Sequence, residues 1–208
     1  TPGAGADQVM RIIGQEFTKK AGQPFVILNR PGAGGAIAAV SVKNAAPDGY
    51  TLFFGNAGTQ AVNPNLTKLD YDPKADFASV ALIMSFPHVL VVPSSSPAKS
   101  VADLVKLAKN KPAGANFGTQ GKGSGGQLLG ELLRLESDAP MTAVPYPGGA
   151  PAITDTVAER LDFMFSSYAP VQGFVEGERL RVLAVTGNKR LKKLPDVPTL
   201  TEAGFPNV

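Results

Sequence analysis

The chain has no cysteine and a single histidine, His88. The first absence excludes disulfides, thiolate metal sites and cysteine nucleophiles together. The second excludes a metal centre or relay built on more than one imidazole. His88 itself stands in the strand-like stretch Ser85-Phe-Pro-His-Val-Leu-Val-Val92, no G-x-S-x-G nucleophile elbow occurs, and the residue is read as structural. No apolar run approaches the roughly 18 residues of a membrane-spanning helix. No leader peptide is visible before Thr1-Pro-Gly, which reads as the start of a mature or trimmed chain. Excess charge is scarce as well, with 20 Lys and Arg against 17 Asp and Glu. The basic residues cluster only at Lys189-Arg190 and Lys192-Lys193, with few aromatics nearby, so no nucleic-acid partner is expected.

What is present is the composition of a folded protein: 43% hydrophobic and 18% charged residues over 208 positions, enough for one large or two small domains. The apolar spacing of Val9, Ile12, Ile13 and Phe17 predicts a helix over 7–21, stopped by Gly22. Strands are expected at 25–28, 50–54, 80–84 and 89–92, each apolar and bounded by turn residues. Ser100 and Asp103 form a capping box for a helix over 101–109. Further on, a strand ends at Val144, a helix covers 150–160, a strand 163–165, a helix 171–176 and a strand 180–185, and a short terminal helix follows Pro195-Asp-Val-Pro-Thr199. Strands alternating with helices at this spacing argue for an α/β fold, in which ligands sit at the carboxyl ends of strands.

The stretch Gly118-Thr-Gln-Gly-Lys-Gly-Ser-Gly-Gly-Gln127 carries five glycines in ten residues immediately before an amphipathic helix. Bare backbone followed by unpaired helix N–H groups suits an anion. A flexible glycine loop that binds nothing fits these residues equally well. Gly121, Gly123 and Gly126 also match the G-x-G-x-x-G of dinucleotide binding, which leaves a dinucleotide enzyme as an alternative. A phosphate-binding P-loop is excluded, because Lys122 is followed by Gly123. The paired acids Asp70 and Asp72, and Asp48, occupy turn contexts, and no catalytic signature emerges.

Three segments together, Asn29-Arg-Pro-Gly-Ala-Gly-Gly35, Ala46-Pro-Asp-Gly-Tyr-Thr-Leu52 and Val144-Pro-Tyr-Pro-Gly-Gly-Ala-Pro-Ala152, resemble the Bug family, the extracytoplasmic solute receptors of tripartite tricarboxylate transporters. Tyr71-Asp-Pro73, Leu183-Ala-Val-Thr186 and Leu194-Pro-Asp-Val-Pro-Thr199 follow in the family's order. The resemblance implies a periplasmic, monomeric receptor of the two-lobe Venus-flytrap type. It would have no enzyme activity and no cofactor or metal, and would deliver a small carboxylate, a dicarboxylate by preference, to membrane permease subunits. A carboxylate sensor with a signalling partner is the other reading. The first lobe is expected at 1–92 plus 189–208 and incomplete, the second at 93–188, with hinges at Pro93 and Gly187.

By the same resemblance the ligand loops are Gly3, Ala4, Gly5, Ala6 and Asp7 on one lobe, and Thr119, Gly121, Gly123, Ser124, Gly125 and Gln127 on the other. Asn56, Ala57, Gly58 and Thr59 join them, as do Tyr146, Gly148, Gly149 and Ala150. Asp162 orients a bridging water or simply ends a helix-to-strand turn. Asn29-Arg30-Pro31 reads as a rigid turn, and Arg11 as a surface or interlobe residue. Two departures from the family pattern, Ala4 in place of glycine and Gln127 in place of histidine, bear on which ligand is held.

Overall fold

A computed structural model describes residues 5–208. The chain divides into two compact units, the first ending at Ser79 and the second spanning Val80–Val208.

In the first unit, α1 (Gly5–Ala21) forms where the apolar periodicity placed it. It stops at Gly22, whose φ of 65° only glycine takes without strain. Phe25 then crosses the helix at Gly14, where an added Cβ would lie 3.0 Å from the ring, and packs against Phe17 at 5.3 Å between centroids. A short 3-10 turn, Ala33–Gly35, leads into α2 (Ala36–Lys43). A π-turn, Gly58–Val62, runs into α3 (Asn63–Leu66). Tyr71 is buried and donates its hydroxyl hydrogen bond to the Thr59 carbonyl at 2.7 Å.

The strands expected at 25–28, 50–54 and 80–84 form no ladder among the described residues. Val26, Leu28, Val80 and Leu82 stay exposed instead. Their composition is that of strands, but an extended segment becomes a strand only by pairing.

The second unit is built on a five-stranded sheet in the order β3-β2-β4-β1-β5. Its strands are β1 (His88–Pro93), β2 (Ala115–Thr119), β3 (Met141–Pro145), β4 (Phe163–Ser167) and β5 (Leu180–Val185). β2 pairs in parallel with both β3 and β4, whereas β1 runs antiparallel to its neighbours β4 and β5. Four helices pack on it: α4 (Val101–Asn110), α5 (Gly125–Ser137), α6 (Gly149–Val157) and α7 (Tyr168–Glu176). The sheet is buried on both faces. Leu90, Val92, Phe117, Phe163 and Phe165 meet Leu104 and Leu133 on one side, and Val89, Val91 and Met164 meet Ile153 and Val171 on the other. Phe117 and Phe163 stack at 5.1 Å. Gly130 is glycine because α5 passes directly over the Phe117 ring.

Ser100 caps α4 as expected, its hydroxyl accepting from Asp103 N–H at 3.1 Å; the Asp103 carboxylate reaches back to Lys99 N–H. The expected terminal helix is only a turn, headed by Thr199 and Glu202, which exchange hydrogen bonds. β1 lies inside the sheet, Pro93 is the register partner of Leu180, and residues 88–93 fall in the second unit. Residues 189–208 also belong there, because Thr199 bridges Val185 and Leu200 is buried in the core.

Candidate ligand-binding site

Because β2, β3 and β4 are parallel, their carboxyl ends share one edge of the sheet, and each feeds a helix that starts there. Helix N-termini are thereby gathered at that edge, their positive ends toward it.

The three helix heads have a common donor pattern. At α5, Ser124 is the N-cap and its hydroxyl accepts from Gln127 N–H at 3.3 Å, while the amides of Gly125 and Gly126 have no partner among the described residues. At α6, Gly148 caps, Gly149 and Ala150 have amides with no partner among the described residues, and the third position is Pro151, which has no N–H to satisfy. At α7, Ser167 caps, the amides of Tyr168 and Ala169 likewise have no partner among the described residues, and the third position is Pro170. Among the described residues, each helix therefore presents a pair of free main-chain donors. Such a pair matches the two oxygens of a carboxylate.

The glycine loop is fixed rather than flexible. Gln127 Oε1 accepts from Gly123 N–H at 2.7 Å, Ser124 N–H donates to the Gly121 carbonyl at 3.1 Å, and Gln120 Nε2 donates to the Phe165 carbonyl at 2.5 Å. Gly126 must lack a side chain, since a Cβ there would lie 2.8 Å from Phe165 O. A Cβ on Gly121 would lie 3.3 Å from Tyr146 O, and one on Gly149 would lie 3.6 Å from Gln120 Cγ. The expected residues Thr119, Gly121, Gly123, Ser124, Gly125, Gln127, Tyr146, Gly148, Gly149 and Ala150 are thus brought together at one edge. Within that set, Gly123 has its amide occupied by Gln127. Tyr146 is likewise engaged, because its hydroxyl donates to Asp155 Oδ2 at 2.7 Å, which also pushes the phenol's pKa up. The head of α7 was not expected from the sequence. Its signal was Ser167 after an apolar strand and three residues before a proline.

In the first unit, Gly3 and Ala4 lie outside the described residues, and Gly5 and Ala6 open α1. Asp7 has a packing role in the first unit. Its buried carboxylate takes Arg11 Nε at 2.9 Å and Asn29 Nδ2 at 2.7 Å, pinning the Asn29 turn to α1. Asn56 and Thr59 cap one another, each backbone N–H donating to the other's side-chain oxygen at 3.0 Å. That leaves the amides of Ala57 and Gly58 without a partner among the described residues.

Against known proteins, the model of the tripartite tricarboxylate transporter family receptors matches residues 9–208. The chain belongs to this family. It is 35% identical over 203 residues to a protein encoded between ttuE and ttuC′ in Agrobacterium vitis, covering 98% of this chain and 59% of that one. It is 30% identical over 207 residues to protein BugT of Bordetella pertussis, covering 99% and 64%. The chain thus spans about three fifths of the length of the curated relatives it matches. Among solved structures it resembles an R. palustris protein with adipate, with a TM-score of 0.89 and 37% identity over 100% of this chain and 70% of that one. It also resembles MatC from Rhodopseudomonas palustris with bound malate, with a TM-score of 0.88 and 33% identity over 99% and 70%.

Within this receptor-family fold, Asp162 stands apart from the helix heads. It precedes β4 at the amino end of the sheet, where its carboxylate accepts from Asn116 N–H at 2.7 Å and from Lys111 Nζ at 2.8 Å. Five steps of strand lead from it to Ser167, about 17 Å, so its bonds tie together the far edge of the sheet. The G-x-G-x-x-G spacing does lie between a strand and a helix, and its last glycine serves helix-on-strand packing as in a dinucleotide fold, but its middle amide is taken by Gln127. A groove of about 600 Å³ in the first unit, lined by Asp70, Asp72, Asp76, Lys43 and Lys68 among others, is a poor anion site. Lys43 is already paired with Asp76 at 3.0 Å, and the acids outnumber the bases.

Proposed function

We propose that the full protein is a periplasmic receptor that captures a small carboxylate, a dicarboxylate by preference, and hands it to the membrane subunits of a tripartite transporter. The observation that carries this reading is the gathering of three helix heads, each with two free amides, at one edge of the sheet in a receptor-family chain. The donors are neutral, fixed in place and complementary to carboxylate oxygens, and each helix head favours an anion by about 0.3–1 kcal/mol. The dicarboxylates adipate and malate held by the two structural relatives support the ligand class.

A thermal-shift titration of the full-length protein tests the reading. At a dicarboxylate concentration a hundredfold above its dissociation constant, native-state binding contributes about 2.7 kcal/mol. That corresponds to a rise in Tm of about 5–10 °C for a chain of about 150–250 residues and about 4 °C for one of about 300 or more. Malate or adipate should give such a rise and NAD none. Stabilisation by NAD with no response to carboxylates would reverse the assignment.

A further inference from the structure

The lone histidine stands at the edge where the helix heads gather. Antiparallel β1 begins where its parallel neighbours end, so His88 is the register partner of Ser167, the N-cap of α7. Its backbone is clamped on both sides by Thr186, which donates N–H to the His88 carbonyl and accepts the His88 N–H on its hydroxyl, each at 2.8 Å. Alternation along the strand puts the imidazole on the same face as Leu90 and Val92, toward α5. Its Cε1 and Nε2 lie 3.3 and 3.4 Å from where a Cβ would stand on Gly125, the first residue of α5. Phe86 covers the ring at 5.7 Å between centroids. His88 is part-buried, and neither ring nitrogen has a hydrogen-bond partner among the described residues.

We propose that His88 is a side-chain contact of the bound carboxylate and couples its capture to uptake of one proton from solvent onto the imidazole. This rests on the carboxylate-binding reading of the same edge. In the free protein, burial holds the imidazole below its ordinary value and so neutral. No charged side chain touches it. The ionisable groups nearest along the elements packed around it are Lys122 before α5, Asp155 on α6, Tyr168 at the head of α7 and Lys189 beyond β5. A carboxylate docked on the Gly125 and Gly126 amides would place a negative charge beside the ring. An opposite charge at such range raises a histidine by about 1–3 pKa units. The proton is therefore bound more tightly in the complex, and affinity must rise as pH falls.

The test uses full-length, tag-free protein with labelled histidine, and assigns the His88 signal by its loss in H88N. Saturating malate should move the His88 imidazole titration upward. Between pH 8 and 6, wild-type affinity for malate should rise about tenfold or more beyond that of H88N or H88Q in the same buffers, a comparison that cancels the ligand's own titration. If malate binds but the His88 titration stays put and the variants share the wild-type pH profile, the coupling is refuted while the receptor reading stands. If no dicarboxylate binds wild type at any pH, the receptor reading falls and the coupling with it.

Discussion

Replacing Gln127 with Glu tests whether main-chain donors at the α5 head do the holding. The side chains are nearly isosteric, and Glu can accept the Gly123 N–H that Gln127 Oε1 now accepts at 2.7 Å. Its charge lies in the first turn of α5, where an acid stabilises a helix by about 0.3–1 kcal/mol. The unliganded Q127E protein should therefore melt about 1–3 °C higher than wild type. The same charge would repel a carboxylate seated on Gly125 and Gly126, and at an assumed separation of about 5 Å the effect is large. At an effective dielectric of about 20 the repulsion is about 3 kcal/mol, a loss of about 100–200-fold in affinity. Isothermal titration with malate and adipate, beside melting curves of the free protein, reads both effects. A variant that is more stable yet binds within about threefold of wild type would show that the anion does not sit at this helix head.

Two further outcomes follow from other parts of the structure. Asp162→Asn weakens the bonds to Asn116 N–H and Lys111 and should cost about 1–3 kcal/mol of stability in denaturant melts with no change in carboxylate affinity; an affinity loss would return Asp162 to the site. Acid should unfold the protein in two stages. His88, depressed by burial, binds its proton more weakly when folded, so some stability is lost as pH drops below about 6.5, and H88N should abolish this stage. Asp72, Asp76, Asp103, Asp155 and Glu202 are all held below their ordinary values. The causes are, in turn, the Ala75 N–H, the Asp72 N–H, the Ser100 hydroxyl, the Tyr146 hydroxyl and Arg190. Their contribution is complete above about pH 4.5 and disappears as pH falls through the depressed values. Melting temperatures that hold constant down to pH 3 would contradict it.

The sequence disclosed the second unit well because its signals are local. Ser100 with Asp103 capped α4, the glycine loop preceded α5, and the apolar runs at 89–92 and 180–185 became strands with buried faces. It disclosed the first unit poorly. Residues 25–28 and 50–54 have strand composition, but pairing is a property of two segments and cannot be read from either. The candidate site shows the same division. Glycines and helix starts were visible, whereas the occupants of each amide were not: Gln127 closing on Gly123, or Asp7 spent on Arg11 and Asn29, depend on where the chain returns. His88 read as an ordinary strand residue because nothing in the sequence said that its strand runs against its neighbours.

Prolines in the third position of α6 and α7 remove a donor that would otherwise need its own acceptor, and Ser124 does the same for α5. What remains is a set of peptide groups, and a peptide group survives nearly any substitution of the residue that bears it. On the proposed reading, drift in the surrounding side chains would retune which acid fits, its length, its hydroxyls and its protonation state, while the main-chain donors persist. A new proline would remove one of those six amides, and a side chain on Gly126 would push the helix start off Phe165.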